Sequence, residues 1–453
     1  DGFIYLTHGN DVLLPEGFKP TQASTYRNYR RDQLLPCEWN RVMFNKGVEP
    51  PAGHVIRTDQ DGERWDMIAG GFRNPYGLDF NPDGELFVYD ADMEWDEGSP
   101  WYRPTRVNHV VSGGDYGWRQ GTDKWQAYFP DSLPGNADIG LGSPTAIAFG
   151  TDSNFPEPYR HALFILDWAY GKIIAVHLMP EGASYRGQAE EFVTGRPLNV
   201  TGVDFGPDGA MYFVTGGRRT QSGLYRVRYV GGESLPSLGQ AAAGEAKRAR
   251  ELRRRLEQFQ SRRSIEGVGL AWEHLGNDDP WIRHAARVAL ENQALEQWKL
   301  PALTESNTKK ALSALMALAR SSDPKVQSQI FGRLNDLPWE GLPMQWQLVA
   351  LRTYQLAFTR MGGGRPGDRN PIIKKIVTAS EKSAEVRMEV SRLLIYLKAP
   401  GIITGLLNYV VDAVSPEERL FYLFHMRHIA DGWTPPHRRA YFAWLKKMTE
   451  VRG

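Results

Sequence analysis

Apolar and polar positions change rhythm once along this chain. Up to about residue 232, short apolar alternations such as Phe3-Ile4-Tyr5-Leu6, Leu86-Phe87-Val88 and Leu163-Phe164-Ile165-Leu166 are bounded by Gly, Pro and Asp. That pattern predicts strands joined by turns. From about residue 244, apolar residues recur at helical spacing over stretches of about 10 to 18 residues, separated by Asp-Pro or Pro-Gly breaks. The chain therefore reads as an all-β part followed by an all-α part, a multidomain protein.

The first part carries an internal repeat. Gly77-Leu78-Asp79-Phe80-Asn81-Pro82-Asp83-Gly84-Glu85-Leu86-Phe87-Val88 returns as Gly202-Val203-Asp204-Phe205-Gly206-Pro207-Asp208-Gly209-Ala210-Met211-Tyr212-Phe213, with a looser copy around Ala146–Phe149 and Ala162–Leu166. The second half of the unit also opens the chain, as Asp1-Gly2-Phe3-Ile4-Tyr5-Leu6. Each unit is strand, turn, strand, with Pro presetting the turn and Gly accepting positive φ. Copies about 45 to 80 residues apart suit four-stranded propeller blades with loop insertions. Residues 1–232 are expected to form about three to four blades, the C-terminal part of a β-propeller whose other blades precede Asp1.

Residues 233–263 read as a linker and charged helix. The basic run within Glu245–Leu256 is expected to be a solvated helix face rather than a nucleic-acid site. Over 264–453, the turns at Asp279-Pro280, Asp323-Pro324 and Ser383-Ala384 precede amphipathic helices, which is similar to HEAT repeats stacked into an α-solenoid. Ordinary antiparallel helix packing is the alternative. Gly362-Gly363-Gly364-Arg365-Pro366-Gly367 is an exposed loop and not a phosphate loop, since no strand precedes it and no Lys-Ser/Thr follows.

Composition narrows the functions. With 54 basic and 53 acidic residues among 453, the chain has no overall field to hold nucleic acid or an anionic membrane. No apolar run reaches the length of a transmembrane span. The single Cys37 excludes a disulfide, a Cys-rich zinc site and haem attachment within these residues, and is expected to be inert.

In a propeller, loops entering the innermost strands and leaving their partners gather at one mouth. The repeat register places there His8, Arg73-Asn74, Asp90, Trp168, Asn199, Thr201 and Arg218. His8 is a candidate general base, or a turn histidine bonded to backbone. Arg73 suits a carboxylate- or quinone-bearing ligand through bidentate bonding, or an ion pair between blades. Asp90, Asp92, Met93 and Glu94 form a candidate Ca²⁺ segment, the competing reading being that Asp90 and Asp92 cap turns while Glu94 and Asp96 pair with Arg103 or Arg106. His54, His109, His161 and His177 are read as structural.

Phe72-Arg73-Asn74-Pro75-Tyr76-Gly77-Leu78 and Ser112-Gly113-Gly114-Asp115-Tyr116-Gly117-Trp118 resemble signatures of soluble quinoprotein glucose/sorbosone dehydrogenases, six-bladed propellers using pyrroloquinoline quinone (PQQ) and Ca²⁺. Asp92–Asp96, Pro100–Arg106 and Arg438–Leu445 resemble the bacterial membrane-bound dehydrogenase family, in which HEAT repeats and a cytochrome c domain follow such a propeller. The resemblance implies a periplasmic or secreted oxidoreductase that oxidises a sugar or other alcohol and passes electrons to a cytochrome. It places Arg73 and Asn74 on quinone contacts, and Asp92 and Met93 where carbonyls bind the associated Ca²⁺. The family's catalytic His falls before Asp1. Ala169 stands where the family has a Lys contact, and Asn199 and Thr201 where it has an Arg pair. A haem domain would follow Gly453. A non-catalytic module binding a glycan or partner protein is the rival expectation.

Overall fold

The computed structural model describes residues 2–14, 28–38, 47–91, 103–219, 221–232, 243–379 and 383–450. Four sheets follow one another in the first half. Strands β1 (Ile4–His8), β2 (Gly53–Thr58) and β3 (Trp65–Phe72) form an antiparallel meander, with β7 (Gly114–Asp115) added in parallel beside β3. β4 (Leu78–Phe80), β5 (Leu86–Asp90), β6 (Thr105–Val110) and β8 (Ala137–Gly140) form the second sheet. The third comprises β9 (Pro144–Phe149), β10 (Ala162–Asp167), β11 (Lys172–Glu181) and β12 (Ser184–Thr194), and the fourth β13 (Val200–Phe205), β14 (Met211–Thr215) and β15 (Gly223–Val227). The first strands of successive sheets, β4, β9 and β13, lie side by side and carry the array forward. The two clear repeat copies are the β4–β5 and β13–β14 hairpins, whose turn glycines Gly84 and Gly209 have φ of +73° and +69°.

A one-turn helix, α1 (Glu157–Arg160), precedes β10. Among the described residues twelve more fill the second half: α2 (Ala243–Glu257), α3 (Ile265–His274), α4 (Pro280–Glu291), α5 (Leu295–Thr304), α6 (Thr308–Arg320), α7 (Gln327–Asp336), α8 (Met344–Met361), α9 (Arg369–Val377), α10 (Ala384–Tyr396), α11 (Ile402–Asp412), α12 (Pro416–Met426) and α13 (Pro435–Met448). The anticipated helix starts are present. Asp279 accepts the N–H groups of Trp281 and Ile282 at 2.8 and 3.3 Å, and Asp323 that of Lys325 at 3.1 Å. Ser383 caps α10 through Val386 at 3.2 Å. Each satisfies donors that a first helical turn leaves orphaned.

These helices pack in two rows. α4, α6, α8, α10 and α12 each touch the next, while α3, α5, α7 and α9 form a second row behind them. α8 is buried nearly all round, as expected of a helix enclosed by neighbours.

The front row packs against the sheet array and the segments around it. One apolar cluster runs from Val55, Phe72, Val88 and Tyr116 through Leu256, Phe259 and Trp281 into Leu315 and Leu351. Ion pairs are buried in the same seam. Asp32 is bonded by Arg360 at 2.6 Å, and Asp131 lies 2.9 Å from Arg352 and 3.2 Å from Arg320. Burial opposes the charge on Asp131, but Arg352 and Arg320 more than offset it and hold its carboxyl below the ordinary range.

The charged helix α2 departs from the expected solvated face. Arg250 and Arg253 are buried against the second sheet, Arg250 reaching Asp83 at 2.8 Å and Arg253 reaching both Glu85 and Glu257. The inward positions carry Ala246, Arg250, Arg253 and Leu256, so the buried stripe of this helix mixes ionic and apolar side chains.

Candidate functional site

The site is built at the ends of the second strands. In the second sheet, Asp90 is buried where β5 stops. It accepts the backbone N–H of Arg73 at 3.1 Å, Asn74 at 2.8 Å and Ala91 at 3.0 Å. Its counterpart in the third sheet, Asp167, accepts those of Ser143 at 2.9 Å and Ala169 at 3.0 Å. A carboxylate at this point therefore ties the loop entering a first strand to the loop leaving its partner. In the fourth sheet Thr215 takes this place, and the tie is made by backbone, Gly216 N–H to Asn199 O at 2.9 Å. Burial raises the pKa of both Asp90 and Asp167, opposed by the amides they bind.

Both oxygens of Asp90 are engaged in this turn-capping arrangement. Asp92, Met93, Glu94 and Asp96 lie outside the described residues. Arg103 bonds the carbonyl of Trp125 at 2.9 Å. Among the described residues no group of three or more His, Cys, Asp or Glu could hold a metal ion.

The first sheet brings His8 to the same end. The Asn10 N–H donates to Arg73 O at 2.8 Å, and a Cβ on Gly9 would lie 2.1 Å from Asn74 Oδ1, so the two loops leave no room for a side chain between them. His8 is half-buried and lies opposite His54 in the β1–β2 register. Proton bookkeeping then fixes both rings. His54 Nδ1 is 2.7 Å from the carbonyl of Ala52, which can only accept, so this nitrogen carries the hydrogen. Burial pushes His54 down to about 4, aided by its neighbour His8, which keeps the ring neutral and leaves Nε2 as an acceptor. His8 Nδ1, 2.9 Å away, must donate to it. The lone pair of His8 is consequently on Nε2. Burial also lowers the pKa of His8, so the ring is held as a neutral base.

A second group stands at the ends of the third and fourth sheets. Trp168 Nε1 donates to Gly216 O at 2.9 Å, Asn199 Nδ2 donates to Trp168 O at 3.1 Å, and the Arg218 guanidinium sits 5.2 Å from the Trp168 ring centroid. Thr201 bonds Val214 O at 3.3 Å and lines a shallow groove with Gly217 and Leu224 on the last sheet. The structure thus groups His8, Arg73, Asn74 and Asp90, and separately Trp168, Asn199 and Arg218. Tyr76 and Tyr170 expose about half their surface at the same end, at 52% and 46%.

Three further histidines have structural partners. His109 bonds Glu85 and Ser184, each at 2.9 Å, His161 bonds Glu157 at 2.9 Å and His177 bonds Glu190 at 3.0 Å. His54 is the residue whose importance the sequence concealed. Its tie to His8 is made by a strand register formed across 46 residues, with no local spacing to announce it.

No protein-family model and no curated protein matches the chain. Solved structures do. A glucose dehydrogenase is 19% identical over 50% of this chain and 61% of its own, with a TM-score of 0.34. An oxidoreductase (glucose dehydrogenase) from Thermus thermophilus is 22% identical over 38% of this chain and 55% of its own, with a TM-score of 0.32. The PQQ-bound aldose sugar dehydrogenase from Streptomyces coelicolor is 15% identical over 39% and 51%, with a TM-score of 0.29. The chain spans only half to three-fifths of the length of these structures.

Proposed function

We propose that the chain belongs to a quinoprotein-type oxidoreductase that oxidises a sugar or other alcohol, with the sheets as part of a six-bladed type of propeller and the paired helix rows as a HEAT-like solenoid. The observation that carries this reading is the His8–His54–Ala52 chain, which leaves an unprotonated Nε2 on His8, in the strand whose following loop is tied to the loop of Arg73 and Asn74. In this reading His8 Nε2 removes the proton from the substrate hydroxyl, and His54 keeps that nitrogen bare.

The donor set suits a flat polyanion. Arg73 and Arg218 supply positive charge, and Trp168 and Asn199 supply a ring face and an amide at the same end. PQQ, when bound by these residues, supplies the two-electron acceptor for the hydride of the substrate carbon. Both carboxylate oxygens of Asp90 accept backbone amides, which gives this residue a turn-capping role. A periplasmic or secreted location and a cytochrome as electron acceptor complete the reading; both rest on the sequence resemblance.

Quenching of Trp168 fluorescence on titration with PQQ, followed by dye reduction with an aldose and alcohol panel, tests the proposal. Saturable quenching with turnover that falls by about two orders of magnitude in His8→Ala supports it. No binding and no turnover overturn it. A second reading, a glycan-binding module, is favoured by the exposed rings of Tyr76 and Tyr170. It requires saccharide binding without turnover, lost in Tyr76→Ala.

A further inference from the structure

A cleft of about 460 Å³ opens at the far end of the first two sheets, where the Pro-Asp-Gly turn of β4–β5 meets the C-terminal half of α2. Its floor is apolar: Tyr5 packs edge-on against Phe80 at 5.1 Å between centroids, with Ile68 and Leu86 alongside. Its walls are cationic. Arg57 and Arg64 come from the β2–β3 hairpin, Arg253 and Arg254 from α2. These four guanidinium groups share three carboxylates, Asp66, Glu85 and Glu257, and burial raises the pKa of Glu257 towards its neutral form. The cleft holds excess positive charge within a chain that is nearly neutral overall.

The arginines fall into two kinds. Arg57 bonds Asp66 at 3.0 Å and Tyr5 Oη at 3.3 Å, and the buried Arg253 bonds Glu257 at 2.7 Å and Ala183 O at 3.2 Å. Both are structural. Arg64 is half exposed and comes no nearer to Asp66 than 3.6 Å. Arg254 reaches Glu85 only at 3.4 Å, and its Nε is buried with no hydrogen-bond partner. The Arg64 and Arg254 side chains, 51% and 42% exposed and held only loosely by carboxylates, keep N–H groups that can donate to an oxyanion from solution. Outside, the exposed Arg255 and Arg262 share a single Glu266, which places further positive charge beside the opening.

We propose that this cleft binds a small organic anion, an oxyanion head between Arg64 and Arg254 with an apolar body over Tyr5 and Phe80. The size is that of a small-molecule site, and the mixture of an apolar floor with few polar groups is what such sites use to orient a ligand. The inference is independent of the oxidoreductase reading.

Benzoate, phenyl phosphate and inorganic phosphate serve as probes, followed by NMR of arginine side-chain and aromatic signals on the whole chain. The expected result is saturable shifts of the Arg254 and Tyr5 signals with at least one aromatic probe, and weaker binding of inorganic phosphate, which lacks the apolar body. The tighter of the two aromatic probes tells a carboxylate from a phosphate head. Arg254→Gln and Arg64→Gln each weaken that binding by about tenfold without lowering Tm, whereas Arg218→Gln, at the other end of the array, leaves it unchanged. Absence of saturable binding by both aromatic probes, or binding indifferent to Arg64→Gln and Arg254→Gln, overturns the proposal.

Discussion

Asp131 accepts two hydrogen bonds from Arg352, at 2.9 and 3.2 Å, and so joins a loop of the sheet array to α8 across 221 residues of sequence. Arg320 of α6 approaches the same carboxylate at 3.2 Å, and all three side chains are buried. Removing the carboxylate leaves the buried Arg352 without its carboxylate partner and Arg320 with Glu291, at 3.0 Å, as its main counter-charge. Asp131→Ala should therefore cost about 3–5 kcal/mol in urea unfolding. Arg226→Ala, which breaks an exposed pair with Asp208, should leave the midpoint nearly unmoved. Equal midpoints for the two variants would show that the seam is not held by this pair.

The His8–His54 pair makes stability depend on pH in a stated direction. His54 is held at about 4 when folded, against 6.5 when unfolded. Between these values the unfolded chain binds the additional proton, so the contribution is whole above 6.5 and is lost as pH falls towards 4. The size is on the order of 3 kcal/mol. Denaturant midpoints measured across this range should fall with acid in the native chain, and this component should vanish in His54→Phe. Nitrogen-15 spectra at neutral pH should show hydrogen on Nδ1 of both rings; hydrogen on Nε2 of His8 would contradict the assigned tautomer.

The strand repeat and the helix starts were legible because each is written locally. Pro82-Asp83-Gly84 and Pro207-Asp208-Gly209 announce hairpins, and Asp279, Asp323 and Ser383 announce caps, all through residues within a few positions of one another. The seam was not legible. Asp32 and Arg360 stand 328 residues apart, and nothing near either marks it as buried. Arg250 and Arg253 share a run with exposed Arg248 and Arg255, so composition alone assigns the whole helix to solvent. At the candidate site, the register of the repeat located His8, Arg73 and Asp90 at one end, but the partner that sets the state of His8 came from a strand 46 residues further along the chain.

Gly84 and Gly209 occupy the same turn with the same positive φ, yet their surroundings differ. A Cβ on Gly84 meets nothing within 4 Å, whereas on Gly209 it would lie 2.3 Å from Asn154 Nδ2. That amide donates to Asp208 O at 2.9 Å. Gly84→Ala should cost about 1–2 kcal/mol from backbone strain alone. Gly209→Ala should cost more, because Asn154 must also move; a thermal shift for Gly84→Ala equal to or larger than that for Gly209→Ala would contradict this.

Asp90 couples stability to the position of Arg73. Its carboxylate holds the N–H groups of Arg73 and Asn74 while the Asn10 N–H binds the Arg73 carbonyl, so the backbone of Arg73 is gripped from both sides. Asp90→Asn keeps the shape but turns an amide NH₂ towards one of these donors, and Asp90→Ala abandons all of them in a buried place. Chemical unfolding should register a loss of about 1–3 kcal/mol for Asp90→Asn and more for Asp90→Ala. The same change loosens the backbone of Arg73, so the proposed binding of PQQ should weaken in Asp90→Asn even where the protein remains folded. Arg73→Lys, which retains charge and backbone ties but loses the two-pronged donor, should reduce that affinity by more than it reduces stability. A common loss of stability in both variants would assign Arg73 to the framework, and separation of the two effects assigns its backbone to the framework and its side chain to the ligand.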